Sequence, residues 1–145
     1  MDWKLLLAAV FVVGLLFGAV SYAAVNYLVQ IRNLGRIRVI GVQVFADEKL
    51  TTVLDEINWG TLNPGDTRKV NAWIKNTGND AQKLVLWTEN WNPVPAQNSI
   101  MLNWDYGNEW ITAGTAFPVT FTLTVDSVIS DVESFSFDIR VKGVA

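Results

Sequence analysis

The chain of 145 residues contains no cysteine and no histidine. These absences together exclude disulfide staples, thiolate nucleophiles, histidine-based triads and the usual zinc, copper and haem ligand sets. No GxSxG element, phosphate loop or GxGxxG turn is present either. The reading is therefore of a non-enzymatic protein without a cofactor. A secreted domain lacking cysteine must rely on its core, which about 110 residues can supply. Basic charge is also in short supply, with 11 Lys and Arg against 14 Asp and Glu for a net charge of −3. The imbalance is uneven. Lys4, Arg32, Arg36 and Arg38 precede Val39 with only Asp2 to offset them, which leaves 7 − 13 = −6 for the remainder. An acidic body does not suit nucleic acid, whose phosphates need a basic face. No N-x-S/T sequon marks the surface for N-glycosylation.

What is abundant is hydrophobicity at the start. Leu5–Val29 is continuous apolar and small-residue sequence apart from Ser21 and Asn26. At 1.5 Å per residue, about 20 such residues cross a bilayer core. No polar position recurs every three or four residues, as it would in the core helix of a small soluble protein. The run predicts a membrane or assembly helix built on Leu5, Leu6, Leu7, Val10, Phe11, Val12, Val13, Leu15, Leu16, Phe17 and Val20. Whether it is retained as an anchor or removed as a signal stays open. Ser21-Tyr22-Ala23 puts small residues where a signal peptidase reads them before Ala24, yet the apolar stretch exceeds the usual signal core. The following residues also have two readings. The helix continues to about Asn33 and stops at Gly35, or the alternation of Val25, Tyr27, Val29 and Ile31 forms a strand able to add to a neighbour's open sheet edge. The chain thus divides into a hydrophobic segment, 1–34, and a body, 35–145, expected outside the cell.

The body reads as strands. Ile37–Ala46 is rich in β-branched residues with Gly41 inside it, which predicts a strand with a bulge or a close backbone approach. The organising stretch is Leu62–Glu89. Pro64-Gly65 forms a turn, Val70, Ala72 and Ile74 alternate with polar residues, Asn76-Thr77-Gly78-Asn79-Asp80 interrupts, and Leu84 and Leu86 resume. This predicts a hairpin with one apolar face, which needs a second sheet to cover it. Val119, Phe121, Leu123 and Val125, then Phe135, Phe137, Ile139 and Val141, repeat the period of two. Seven to eight strands at roughly ten-residue spacing, with no amphipathic helix among them, predict an all-β, immunoglobulin-like two-sheet sandwich behind one N-terminal helix.

Carboxylates fall in near-pairs, Asp47/Glu48, Asp55/Glu56, Asp105/Glu109 and Asp131/Glu133, and are read as solvated turn residues. Asp126–Glu133 has the oxygens for calcium but not the spacing or the glycine of a calcium loop, so no metal site is assigned. Of the 7 tryptophans, Trp73, Trp87 and Trp91 form the candidate interaction face. Trp73 and Trp87 are expected as a cross-strand pair or at an intersubunit contact. The alternative is that exposed tryptophans stack on sugar rings, as in a carbohydrate-binding module.

Ile57-Asn58-Trp59-Gly60-Thr61-Leu62-Asn63-Pro64-Gly65, Lys75-Asn76-Thr77-Gly78-Asn79 and Asn90-Trp91-Asn92-Pro93 resemble elements of small membrane-tethered or secreted immunoglobulin-like proteins of archaea. The resemblance covers about Gly35–Ala145. In plan the chain is also similar to archaeal surface-filament subunits, both the TasA-related bundling pili built by strand donation and the pilins and archaellins built on a packed helix. It departs from the pilin pattern in that Lys4 is followed by Leu5 rather than by glycine or alanine. The resemblance implies a cell-surface structural protein that self-associates and holds the membrane by its first segment.

Overall fold

The computed structural model describes residues 31–129 and 131–145. In chain order the strands are β1 (Ile31–Ile40), β2 (Val42–Phe45), β3 (Glu56–Leu62), β4 (Thr67–Asn76), β5 (Lys83–Asn92), β6 (Ile100–Trp104), β7 (Ala116–Val125) and β8 (Ser134–Val144). A short 3-10 helix, Val94–Asn98, lies between β5 and β6. The strands form two four-stranded sheets, ordered β3-β1-β8-β5 and β2-β4-β7-β6. Every neighbouring pair is antiparallel except β1 and β8, which run parallel. The architecture is the all-β two-sheet sandwich that the alternation demands. Val119, Phe121, Leu123 and Val125 from β7 and Phe135, Phe137, Ile139 and Val141 from β8 are all buried. Each such side chain contributes about 1.5–3 kcal/mol when fully removed from water.

Three expectations are corrected. First, β4 and β5 do not form a hairpin. They belong to different sheets, β4 pairing with β7 and β5 with β8. Alternation reports only that each strand has one apolar face. An arch turns the two faces toward each other, whereas a hairpin would leave both on the same side needing cover. Second, Gly41 does not bulge a single strand. With φ at +70° it is the sole residue between β1 in one sheet and β2 in the other, a conformation cheap only for glycine. Third, the helix does not run to Asn33, because β1 begins at Ile31 and Asn33 pairs with Gly60 on β3 and Phe135 on β8. Two neighbouring strands offer that backbone a complete ladder, which an isolated helix end cannot match. Leu5–Val20 and Val25, Tyr27 and Val29 lie outside the described residues.

The motifs carrying the resemblance punctuate the sheets. In Ile57-Asn58-Trp59-Gly60-Thr61-Leu62, the register slips between Asn33 and Leu34, leaving Trp59 unopposed and buried. Gly60 takes φ +74° and donates its N–H to Asn58 Oδ1 at 2.9 Å. In Asn90-Trp91-Asn92-Pro93, Asn90 at φ +55° accompanies a second slip, between Glu89 and Asn92. That slip turns Trp91 onto Phe137, with ring centroids 4.2 Å apart and planes 9° from parallel. In Lys75-Asn76-Thr77-Gly78-Asn79, the Asn76 side chain is fully buried. It donates to the carbonyls of Asp80 (2.7 Å) and Ile111 (2.9 Å) and accepts from the Gly78 N–H (2.8 Å).

Removing the Asn76 carboxamide takes away three hydrogen bonds, each with a net worth of about 0.5–1.5 kcal/mol. Asn76→Ala should therefore lower the unfolding free energy in denaturant titrations by about 3 kcal/mol. Asn76→Asp should do no better, since a carboxylate there faces two carbonyl oxygens. A loss below about 1 kcal/mol in either variant would show that the arch is held elsewhere.

Candidate interaction surface

The three tryptophans read from the sequence as one face are distributed over three environments. Trp73 lies on the outer side of the second sheet, half-buried, in register with Phe45 on β2 and Pro118 on β7. Trp87 lies on the outer side of the first sheet and is exposed, in register with Arg140. Trp91 points inward, with its indole N–H donated to Thr88 Oγ1 at 3.1 Å. The Trp73–Trp87 pair is thus excluded, because the arch puts its members on opposite sides of the sandwich. Trp59 and Trp104 join or line the core, while Trp110 is exposed with the Lys83 Nζ 5.2 Å from its ring centre. Ile31, the one described member of the candidate donor strand, is fully buried at the start of β1.

What the fold does assemble is a patch along β5 and β8. Successive outward positions of β5, Lys83, Val85, Trp87 and Glu89, stand opposite Val144, Lys142, Arg140 and Asp138. Val85, Trp87 and Val144 are exposed apolar side chains, each set across the ladder from a cation. Arg140 pairs with Glu89 through its Nε and Nη2. The other Glu89 oxygen accepts the Trp87 indole N–H at 3.1 Å, and Asn90 Nδ2 donates to Asp138 Oδ2 at 3.0 Å. The Trp87 N–H first, and then Arg140, hold the Glu89 carboxyl below its ordinary value of 4.5. Sequence reasoning missed Glu89 and Arg140 because they are 51 residues apart. The usable signal was their phase, since both fall on the outward beat of their strands.

Of the paired carboxylates, Asp47 caps a turn and Asp105 reaches across to β7. Asp47 accepts from the backbone N–H groups of Thr51 (3.0 Å) and Thr52 (2.7 Å), and these bonds, led by that from Thr51, lower its pKa. Asp105 accepts from the Thr120 N–H at 2.7 Å, and Asp126 from the Val128 N–H at 3.0 Å. Among the described residues no cluster of three or more His, Cys, Asp or Glu could hold a metal ion. A shallow cavity of about 410 Å³ opens beside the start of β1, lined by Arg32, Asn33, Leu34, Asn58, Gly60, Thr61 and Phe135. The Asn33 carboxamide is sealed beneath it with no hydrogen-bond partner among the described residues.

Fold and surface together define a two-sheet β-sandwich with a mixed apolar and charged strip along one edge. Among the described residues no helix is long and apolar enough to cross a membrane. No protein-family model matches the chain, and no curated protein matches it.

Trp91→Ala should lower stability by about 3 kcal/mol, the cost of emptying a packed aromatic site. Trp87→Ala should cost less than about 1 kcal/mol, as expected of an exposed residue. Equal losses in thermal unfolding would refute the division between a core and a surface tryptophan. Because the Glu89 pKa is lowered on folding, its contribution is complete above pH 4.5 and is lost as pH falls through the folded value. The difference in unfolding midpoint between wild type and Glu89→Gln should accordingly shrink below pH 4.5. A difference independent of pH would remove the carboxylate from that account.

Proposed function

We propose that the protein is a non-enzymatic cell-surface structural protein, a subunit of an extracellular filament or surface assembly. In this reading the body is an immunoglobulin-like sandwich of the kind found in small archaeal surface proteins. A hydrophobic N-terminal helix, Leu5–Val20 at its centre, delivers the sandwich to the outside and holds it at the membrane. The observation that carries the reading is the exposed strip of Val85, Trp87 and Val144 interleaved with Lys83, Lys142 and Arg140. Apolar side chains ringed by charge suit contact with another protein, where aromatic and arginine side chains dominate binding. The leading run Leu5–Val29 supports export and retention, being long enough to span a bilayer.

A second reading, a membrane-tethered carbohydrate-binding module, draws on the exposure of Trp87 and Trp110. Flat exposed indoles stack on sugar rings. The first reading is favoured because Trp87 is committed through its N–H to Glu89 and sits in a ladder of alternating apolar and charged residues, not in a cleft.

Negative-stain images of the purified full chain at high concentration should contain filaments or ordered arrays. Monodisperse particles alone would count against assembly. Intact mass of native protein should begin at Met1 if the helix anchors the chain, whereas a start at Ala24 would leave Val25, Tyr27, Val29 and Ile31 at the new terminus. Addition of a glycan panel should leave tryptophan emission unchanged. Quenching abolished by Trp87→Ala would reverse the preference between the two readings.

A further inference from the structure

The four edges of the sandwich are not equally protected. The β2 edge is only four residues long and is closed at its end by the Phe45–Val53 bridge. The β6 edge spans five residues. The β3 edge is broken by the bulge at Trp59 and Gly60. Short strands and bulges are the usual means of blunting an edge. By contrast, β5 is a ten-residue edge strand, regular in register from Lys83 to Glu89, with neither proline nor bulge in that span.

Among the described residues, the hydrogen bonds already made locate its free portion. Gln82 exchanges both backbone bonds with Ile111, N–H to O at 3.0 Å and O to N–H at 2.8 Å, and the Leu84 N–H donates to the Tyr106 hydroxyl at 3.1 Å. Even-numbered residues of this regular ladder therefore direct their backbone groups away from β8, and odd-numbered ones toward it. Past Leu84 the outward groups are those of Leu86 and Thr88. These flank Trp87 symmetrically, after which the slip between Glu89 and Asn92 interrupts the ladder.

We infer that this edge pairs with the same edge of a second copy of the chain, β5 against β5, antiparallel about a two-fold axis at Trp87. Leu86 and Thr88 of each copy then exchange N–H and C=O with Thr88 and Leu86 of the other, which is the self-complementarity a two-fold contact requires. On the outer face the indole of Trp87 meets its symmetry mate at a non-hydrogen-bonded position, where side chains approach most closely. Val85 lies opposite Glu89 of the other copy, so no like charges oppose. A register centred on Leu86 would set Lys83 against Glu89, but it draws on the Leu84 N–H already held by Tyr106. Joining the two edges makes one continuous sheet across both copies. The inference rests on the self-association reading above and supplies a contact for it.

A chain without cysteine permits a clean test. Trp87→Cys and Val85→Cys are prepared as full chains in detergent, with micelles in excess over protein, and oxidised. In the inferred register the two thiols introduced by Trp87→Cys face each other within disulfide reach, whereas the two copies of residue 85 lie about 13 Å apart. A covalent dimer in most of the Trp87→Cys sample and in less than about a tenth of the Val85→Cys sample is expected. Equal yields, or no dimer from Trp87→Cys, would overturn the pairing. Trp87→Lys sets two cations against each other and should lower the sedimenting mass of the full chain to that of one copy per micelle. Unchanged mass overturns the edge contact. Arrays persisting in Trp87→Lys would reject this edge and leave surface assembly standing, while a Trp87→Cys dimer from protein that forms no arrays would do the reverse.

Discussion

At one end of the sandwich the two sheets are joined by chain that must pass between them, and the buried carboxamide of Asn76 holds that crossing in place. Its side chain closes the arch on Asp80 and Gly78 and reaches across to Ile111. Its own backbone N–H donates to Thr115 at 2.9 Å and its carbonyl accepts from Gly114 at 3.0 Å. One buried residue thereby satisfies its own polar groups and ties together two loops. A buried network that is complete contributes specificity as well as stability, and one that is incomplete is costly. Since this arch assigns β4 to one sheet and β5 to the other, the pairing of both strands, and hence the placement of β7 and β8, depends on it.

The same end is crowded for a second reason. The Gln82 side chain runs past Gly41, Gly78 and Gly143, and a Cβ on Gly143 would overlap its amide end and press on Val42. Glycine in the arch, at Gly78, and near the end of β8, at Gly143, leaves room for a side chain that seals the seam. The backbone of Gln82 is held to Ile111, the residue whose carbonyl Asn76 captures. Arch, corner and loop thus form one connected unit, and among the described residues the free portion of the β5 edge begins just where these hydrogen bonds end.

The functional reading has the same origin. Because β5 is at the edge of its sheet, its outward residues meet solvent on one side and its backbone does so on another. The strip of Val85, Trp87 and Val144 is a consequence of strand order, not of any local run of apolar sequence. Glu89 illustrates this. It is anchored by Trp87 two positions away and by Arg140 on the neighbouring strand, and only the second partner needed the fold to bring it near.

Much of this was legible in the residues alone. A period of two in β4, β5, β7 and β8 identifies strands, and apolar faces on all of them demand two layers, because a single sheet cannot cover its own apolar side. Pro-Gly, Gly-Asn and Asn-Pro pairs mark where strands end, since their backbone preferences are local. What pairs with what is not local. Alternation around Asn76 is the same for a hairpin and an arch, so the sheet assignment of β4 and β5, the exclusion of a Trp73–Trp87 contact and the inward turn of Trp91 were decided by tertiary structure. The reason is that register slips, sheet exchange and edge position arise from the competition among all strands for partners and for one core, and no stretch of sequence carries that competition by itself.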